Sequence, residues 1–157
     1  MSFNFKARLE TGQVAAAHVE ASRKEIGKVL NQLKLDLSDF LDVKLELVIK
    51  DEFEFKKDKG DSNPVATFGT LRTHIGIPVK TGYKTIAFKG ALDNRMELFQ
   101  IKEGKNVYPL NIKSDVNKFI VVSAEDLVEV IGSILEDPKT HAKFRAFKKH
   151  ENGNEQF

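Results

Sequence analysis

The sequence predicts an α+β fold: one long N-terminal helix, about six or seven mostly antiparallel strands, and two C-terminal helices. Three observations predict it. Apolar residues first recur at helical spacing, the period changes to two from Val43, and helical spacing returns after Ser123. Because strands and helices do not alternate in the middle of the chain, a parallel sheet is not expected. We expect residues 1–150 to form a single domain and the polar tail, residues 151–157, to fray.

The first helix is predicted over residues 13–41, with a break near residues 34–38. Its apolar residues follow helical spacing, and its charged residues fall largely on the other side. A stripe of this length would also suit a dimer seam, but it holds too few heptads to predict a coiled coil. We therefore favour packing of this helix on the protein's own sheet.

Two alternating segments, VKLELVIK and EFEFKK, predict the next two strands. The polar residues 56–64 that follow predict an exposed loop. Its Asp58, Asp61 and Asn63 offer oxygen atoms to a cation, but they lack the order and the distal glutamate of a calcium-binding loop. We expect no metal and no other cofactor.

The stretch LRTHIGIPVK, residues 71–80, alternates apolar and polar residues and predicts a strand that ends at a Thr81-Gly82 turn. Such a turn pairs residue i with residue 163 − i and buries one face: Ile75, Ile77, Ile86 and Phe88. The other face carries a positive group, Arg72, His74 and Lys89. This group is a candidate site for a phosphate or carboxylate. The alternative is the solvated side of an antiparallel sheet.

A second hairpin is predicted around EGK, residues 103–105, which pairs residue i with residue 208 − i. Met96 then meets Ile112, and Leu98 meets Leu110, on the core face. The opposite face carries Phe99, Ile101 and Val107. That face is too apolar to lie in water. The sequence leaves open whether a helix or another protein covers it.

The C-terminal part predicts a short strand, KFIVV, and two capped helices. Ser123 is the predicted N-cap of the first, and Asp137-Pro138 begins the second. The inward residues of the first helix are predicted as Leu127, Val128, Ile131, Ile134 and Leu135. The last helix carries a basic cluster that, in a nucleic-acid-binding protein, would contact phosphates: Lys139, Lys143, Arg145, Lys148 and Lys149. Phe144 and Phe147 lie between these bases, either as stacking partners for bases or as the buried stripe of the helix.

Charge is segregated along the chain although the net charge is only +2. Residues 72–122 hold nine Lys or Arg and four acids, residues 123–137 hold five acids and no base, and residues 138–150 hold five bases and no acid. Such blocks indicate complementary solvated faces or a charged docking surface. The chain has no cysteine, which suits a reducing compartment. With no signal-peptide core and no membrane-length apolar run, we expect a cytoplasmic protein without membrane contact.

No phosphate-cradling loop, zinc-binding His-Glu-x-x-His or serine-nucleophile motif is found. The sequence therefore favours a non-enzymatic protein-binding module, comparable to accessory, inhibitor or immunity proteins, that docks on another protein or on a second copy of itself. The candidate binding residues are Arg72, His74, Lys89, Phe99, Ile101 and Val107. A nucleic-acid-binding protein is the first alternative. A small enzyme with a site assembled from dispersed residues is the second.

Overall fold

The structure, a computed structural model, describes residues 3–56, 76–115 and 117–153. These residues form an α+β fold, as predicted, with one antiparallel sheet of five strands and three helices. The helices are α1 (Phe5–Leu41), α2 (Ala124–Glu136) and α3 (Pro138–Glu151). The strands are β1 (Glu46–Lys56), β2 (Ile77–Lys89), β3 (Arg95–Gly104), β4 (Val107–Lys113) and β5 (Lys118–Val121), and they neighbour one another in chain order.

The predicted count of six or seven strands is too high for the described residues, because predicted neighbours merge into single strands. The segments VKLELVIK and EFEFKK join in β1, and β2 runs straight through Thr81 and Gly82, where a turn was predicted. A bulge replaces that turn: the pairing of β1 with β2 shifts between Asp51 and Phe53. Gly82 has a φ of 88°, a backbone conformation that glycine adopts without steric cost and that suits a bulge as well as a turn.

The 163 − i register is consequently wrong. Ile86 pairs with Ile49 on one side and with Phe99 on the other, so β2 is an inner strand rather than half of a hairpin. Ile77 lies at the other end of β2, pairs with Lys56 and is 58% exposed. The other proposed member of the buried group, Ile75, lies outside the described residues.

The second hairpin forms, but in a different register. β3 ends at Gly104, and Ile101 pairs with Ile112, where the 208 − i rule predicted Met96. The pairing also shifts between Lys102 and Gly104. Successive strand residues point to opposite faces of a sheet. Because the register differs from the predicted one by an odd number of residues, Ile101 lies on the same face as Ile112.

The helix α1 is continuous, without the predicted break, and begins at Phe5 rather than near residue 13. Asn4 caps it by accepting a hydrogen bond from the Ala7 amide at 3.4 Å. Its second half packs into a single core shared by the sheet and the other helices. The buried apolar residues of α1 are Ile26, Leu30, Leu33, Leu37 and Leu41.

Both C-terminal helices are capped as predicted. The Ser123 hydroxyl accepts from the Asp126 amide at 3.1 Å, and the Asp137 carboxylate accepts from the Lys139 amide at 2.9 Å. Val128, predicted to face inward, is 53% exposed, and Val130 is buried instead. None of the helices in the described ranges has the length and apolar character needed to cross a membrane.

Candidate functional site

An apolar cleft lies between α1 and the sheet. One wall is the middle of α1, and the other is the face of β1, β2 and β3 on which Ile49, Ile86 and Ile101 lie. This α1–sheet cleft has a volume of about 290 Å³. It is lined by Arg23, Ile26, Gly27, Leu30, Ile49, Gly82, Lys84, Ile86, Ile101, Lys102 and Glu103.

The cleft stays open because α1 presents a glycine to it. A Cβ built on Gly27 would meet no atom within 4 Å outside its own helix turn. Ile26 and Leu30, one turn apart on the same helix, are buried and fill the space around the glycine. On the opposite wall Ile49, which belongs to β1 at the edge of the sheet that the described residues form, remains 50% exposed. The missing side chain at Gly27 and the half-exposed side chain of Ile49 therefore leave space in the cleft for a ligand.

The rim of the cleft is charged. The guanidinium of Arg23 donates two hydrogen bonds to the carboxylate of Glu103, from Nη2 to Oε2 at 2.9 Å and from Nε to Oε1 at 3.3 Å. The hydrogen bonds to Glu103, and then its charge, raise the pKa of Arg23 above its ordinary value. Lys84 is exposed and lies beside Ile101 across the β2–β3 pair. Three basic residues and one acid thus line the cleft.

Lys102 lies at one end of the cleft, and its side chain is positioned by packing contacts rather than by an ion pair. Its side chain crosses Gly82, where an added Cβ would lie 3.1 Å from the Lys102 Cε. Its ammonium lies 5.5 Å from the centre of the Tyr83 ring, and the ammonium of Lys113 lies 5.6 Å from the same ring. Such cation–π contacts fix long side chains at a partly exposed site.

This arrangement suits binding rather than bond chemistry. The lining has no serine, histidine or aspartate, and its one glutamate is held by Arg23. Its volume lies at the lower end of the roughly 300–1,000 Å³ of small-molecule sites. One or two apolar side chains of a ligand would fit on the floor of the cleft, and a carboxylate next to them would lie near the basic rim.

The predicted binding residues fall in three places. Arg72 and His74 lie outside the described residues. Lys89 forms an ion pair with Asp93 at 3.0 Å, and this contact lowers the pKa of Asp93. The three apolar residues, Phe99, Ile101 and Val107, are buried in the protein's own core, at 3%, 7% and 2% exposure.

The sequence left open whether a helix of this protein or another protein covers this apolar group. In the described structure, the protein itself covers it. Ile101 lies in the cleft wall opposite Ile26 and Leu30 of α1. The hypothesis that these three residues present a free docking face is therefore wrong. Only Ile101 contributes to the candidate site, as part of its floor.

The basic cluster of α3 is divided between the core and the surface. Phe144 and Phe147 are 4% and 3% exposed and belong to the core, so neither ring is free to stack on a base. Lys143 bonds to Asp115 at 2.6 Å and to the Glu97 carbonyl at 3.2 Å. The cluster's remaining members are exposed: Lys139, Arg145, Lys148 and Lys149.

The described histidines of α3 do not form a metal site. His141 lies between the rings of Phe40 and Phe144, at 6.0 and 5.2 Å between centres, and its Nε2 contacts the Leu135 carbonyl at 2.8 Å. Across residues 3–56, 76–115 and 117–153, no group of three or more His, Cys, Asp or Glu side chains could hold a metal ion.

Apart from Ile101, the key residues of the cleft were not among the sequence-based candidates. The sequence pattern that could have identified Gly27 is an isolated glycine inside a helical segment, which often marks a packing or functional feature. No such pattern marks Ile49 or Lys84, because each fits an ordinary strand position. Comparison with protein-family models, with curated proteins and with solved structures gives no match for this chain.

Proposed function

We propose that the protein is a non-enzymatic protein-binding module that takes an apolar side chain of an acidic partner segment into the α1–sheet cleft. The observation that carries the proposal is the combination of an open apolar floor with a basic rim. Ile49 is 50% exposed, and Gly27 leaves space above the floor.

The physical basis is that of an anchor residue in a protein interface. Burying one large apolar side chain in such a cleft contributes about 1.5–3 kcal/mol. Affinity in protein interfaces concentrates in a few anchors of this kind, with charged residues around them. The lysines of the rim add specificity and speed association by steering acidic partners. An acidic segment with one leucine or phenylalanine matches both features.

The nucleic-acid alternative has narrower support. Arg145, Lys148 and Lys149 are exposed on α3 and are available for phosphate contacts. Lys143 is bound to Asp115, and Phe144 is buried, so the cluster offers charge without stacking. We therefore place protein binding first.

A crosslinking experiment tests the proposal. A photoreactive residue at Lys84, on the cleft rim, is compared with one at Lys44, an exposed lysine before β1. We expect a defined partner with an acidic segment to crosslink from position 84 in cells, and the crosslink to map next to an apolar residue of that segment. Equal crosslinking from both positions, or crosslinks to nucleic acid that nuclease removes, would contradict the proposal.

A charge-reversal pair gives a second readout on the same surface. Lys84→Glu places a like charge opposite the acidic segment and is expected to weaken binding of the captured partner about tenfold or more. Lys44→Glu changes the net charge of the protein equally and is expected to leave binding unchanged. Calorimetry with the purified partner measures both.

A further inference from the structure

The first half of α1 carries apolar residues that the described structure leaves uncovered. Residues 5–21 rise about 25 Å along the helix axis, and all of their side chains are exposed except the half-buried Val19. Phe5, Leu9 and Val14 are 65%, 74% and 71% exposed. An isolated helix of this length is marginal in water, so packing against another surface would stabilise it.

One stripe runs along the whole of α1 at the spacing of a helix–helix seam. Its members are separated alternately by four and three residues. They are Phe5, Leu9, Gly12, Ala16, Val19, Arg23, Ile26, Leu30, Leu33 and Leu37. From Ile26 onward the stripe is buried in the core, whereas up to Ala16 it is exposed. The face that packs on the sheet in the second half of the helix is thus open in the first half.

We propose that this open half of α1 pairs antiparallel with the same segment of a second copy, in the register where the numbers of facing stripe residues add to 28 and those of the flanking residues Lys6, Gln13 and Glu20 add to 26. Leu9 then packs on Val19 of the second copy. Gly12 faces Ala16 of the second copy, and these two small residues let the helix backbones approach closely. The pairing is two-fold symmetric, so both of these contacts occur twice, as in a closed dimer.

The length of the seam matches the length of the open segment. In this register Phe5 faces Arg23 of the second copy, where the guanidinium attracts an aromatic ring. The next residue of the stripe, Ile26, is already buried by the protein's own sheet. The paired helix therefore ends where the second copy's folded body begins.

Charge complementarity selects this arrangement. Lys6, Gln13 and Glu20 flank one side of the stripe at seven-residue spacing, and in an antiparallel pair these positions face their own counterparts. Lys6 then meets Glu20 of the second copy, Glu20 meets Lys6, and Gln13 meets Gln13. A parallel pair would instead set Arg8 against Gln13 and Ala15 against Glu20, without an ion pair. Sliding the antiparallel pair by seven residues also removes both ion pairs.

Sedimentation of the full chain over a range of concentrations tests the dimer. We expect a reversible monomer–dimer equilibrium, and we expect Leu9→Glu to raise its dissociation constant by roughly 100-fold or more. Val14→Glu is the matched control, because Val14 is equally exposed but lies off the stripe. A wild-type chain that stays monomeric up to its solubility limit, or equal weakening by both variants, would overturn the proposal.

The orientation and register have their own tests. Lys6→Glu should weaken the dimer roughly tenfold, and the double exchange Lys6→Glu with Glu20→Lys should restore it. Because the chain has no cysteine, Gln13→Cys gives a single thiol that should form a disulfide-linked dimer under oxidation. Lys6→Cys should not, since its two copies would lie about 21 Å apart along the seam. Equal crosslinking at both positions, or a double exchange that fails to restore the dimer, would rule out the register.

The two proposals share Arg23, which lies on the cleft rim and at the end of the seam, but Leu9 and Lys6 lie outside the α1–sheet cleft, so variants at these positions test the dimer separately from the proposed function. Dimerisation without partner binding, and partner binding without dimerisation, are both readable from the same set of variants.

Discussion

Ile101 of β3 pairs with Ile112 of β4, and both side chains are buried, at 7% and 1% exposure. The pair lies on the sheet face that α1 covers, so Ile101 contributes both to the core and to the floor of the α1–sheet cleft. A charged residue in place of Ile101 would therefore destabilise the protein even when no partner protein is bound.

Ile101→Asp is therefore expected to destabilise the isolated protein by several kcal/mol, because a carboxylate would be buried without a partner. Ile120→Asp is the control, since Ile120 is also a strand isoleucine but is 69% exposed, and its change should stay within about 0.5 kcal/mol. Denaturant melts of both variants measure the free energy of unfolding. Similar losses in the two variants would show that the assignment of faces is wrong.

Ionisation of Tyr108 is expected to make the stability of the protein fall at alkaline pH. Burial, and secondarily the charge of Glu25, raise the pKa of Tyr108 above its ordinary value of 10.0. Ionisation of the phenol is therefore disfavoured in the folded state, so stability is full below pH 10 and falls as the pH rises through the raised folded-state pKa. Its hydroxyl is also buried without a hydrogen-bond partner in the described structure.

Tyr108→Phe should accordingly leave stability at neutral pH unchanged or slightly higher, because it removes an unpaired buried hydroxyl. Above about pH 10 the variant should lose less stability than the wild type, because it has no phenol to ionise. Denaturant melts at neutral and alkaline pH test both statements. A variant that is less stable at neutral pH would mean that the hydroxyl makes a stabilising contact.

The exposed bases of α3 provide the test for nucleic acid. If protein binding is the function, the protein should show no salt-dependent affinity for DNA or RNA at low ionic strength. In the alternative, Arg145→Ala and Lys148→Ala should each lower the slope of log affinity against log salt by about 0.9 on duplex DNA. Lys143→Ala should have no such effect, because Lys143 is bound to Asp115. Fluorescence anisotropy with labelled duplexes distinguishes the two outcomes.

Local signals in the sequence predicted the class, the caps and most of the core. Ser123 and Asp137 cap helices as expected, because capping depends on side chains within a few residues of the helix start. Strand pairing depends on distant partners. Gly82 suits a turn and a bulge equally, and only the pairing of β2 with β1 decides between them. The error at that one glycine displaced the predicted partners of Ile86.

The candidate site was harder to predict for the same reason. Phe99 and Ile101 were recognised as too apolar for water, but the core that buries them includes residues of α1, far away in the chain. The cleft is lined by Gly27 of α1, Ile49 of β1 and Ile101 of β3. No local pattern brings these three together.

Filling the cleft is the most direct test of the central claim. Gly27→Leu places a side chain where an added Cβ meets nothing within 4 Å, so the helix can accept it without a clash. Gly132→Leu, at an equally open glycine of α2, is the matched control for the gain in helix propensity. Calorimetry then compares how wild type and both variants bind the partner captured through position 84. We predict that Gly27→Leu abolishes binding while Gly132→Leu retains wild-type affinity, and unchanged affinity of Gly27→Leu would contradict the account.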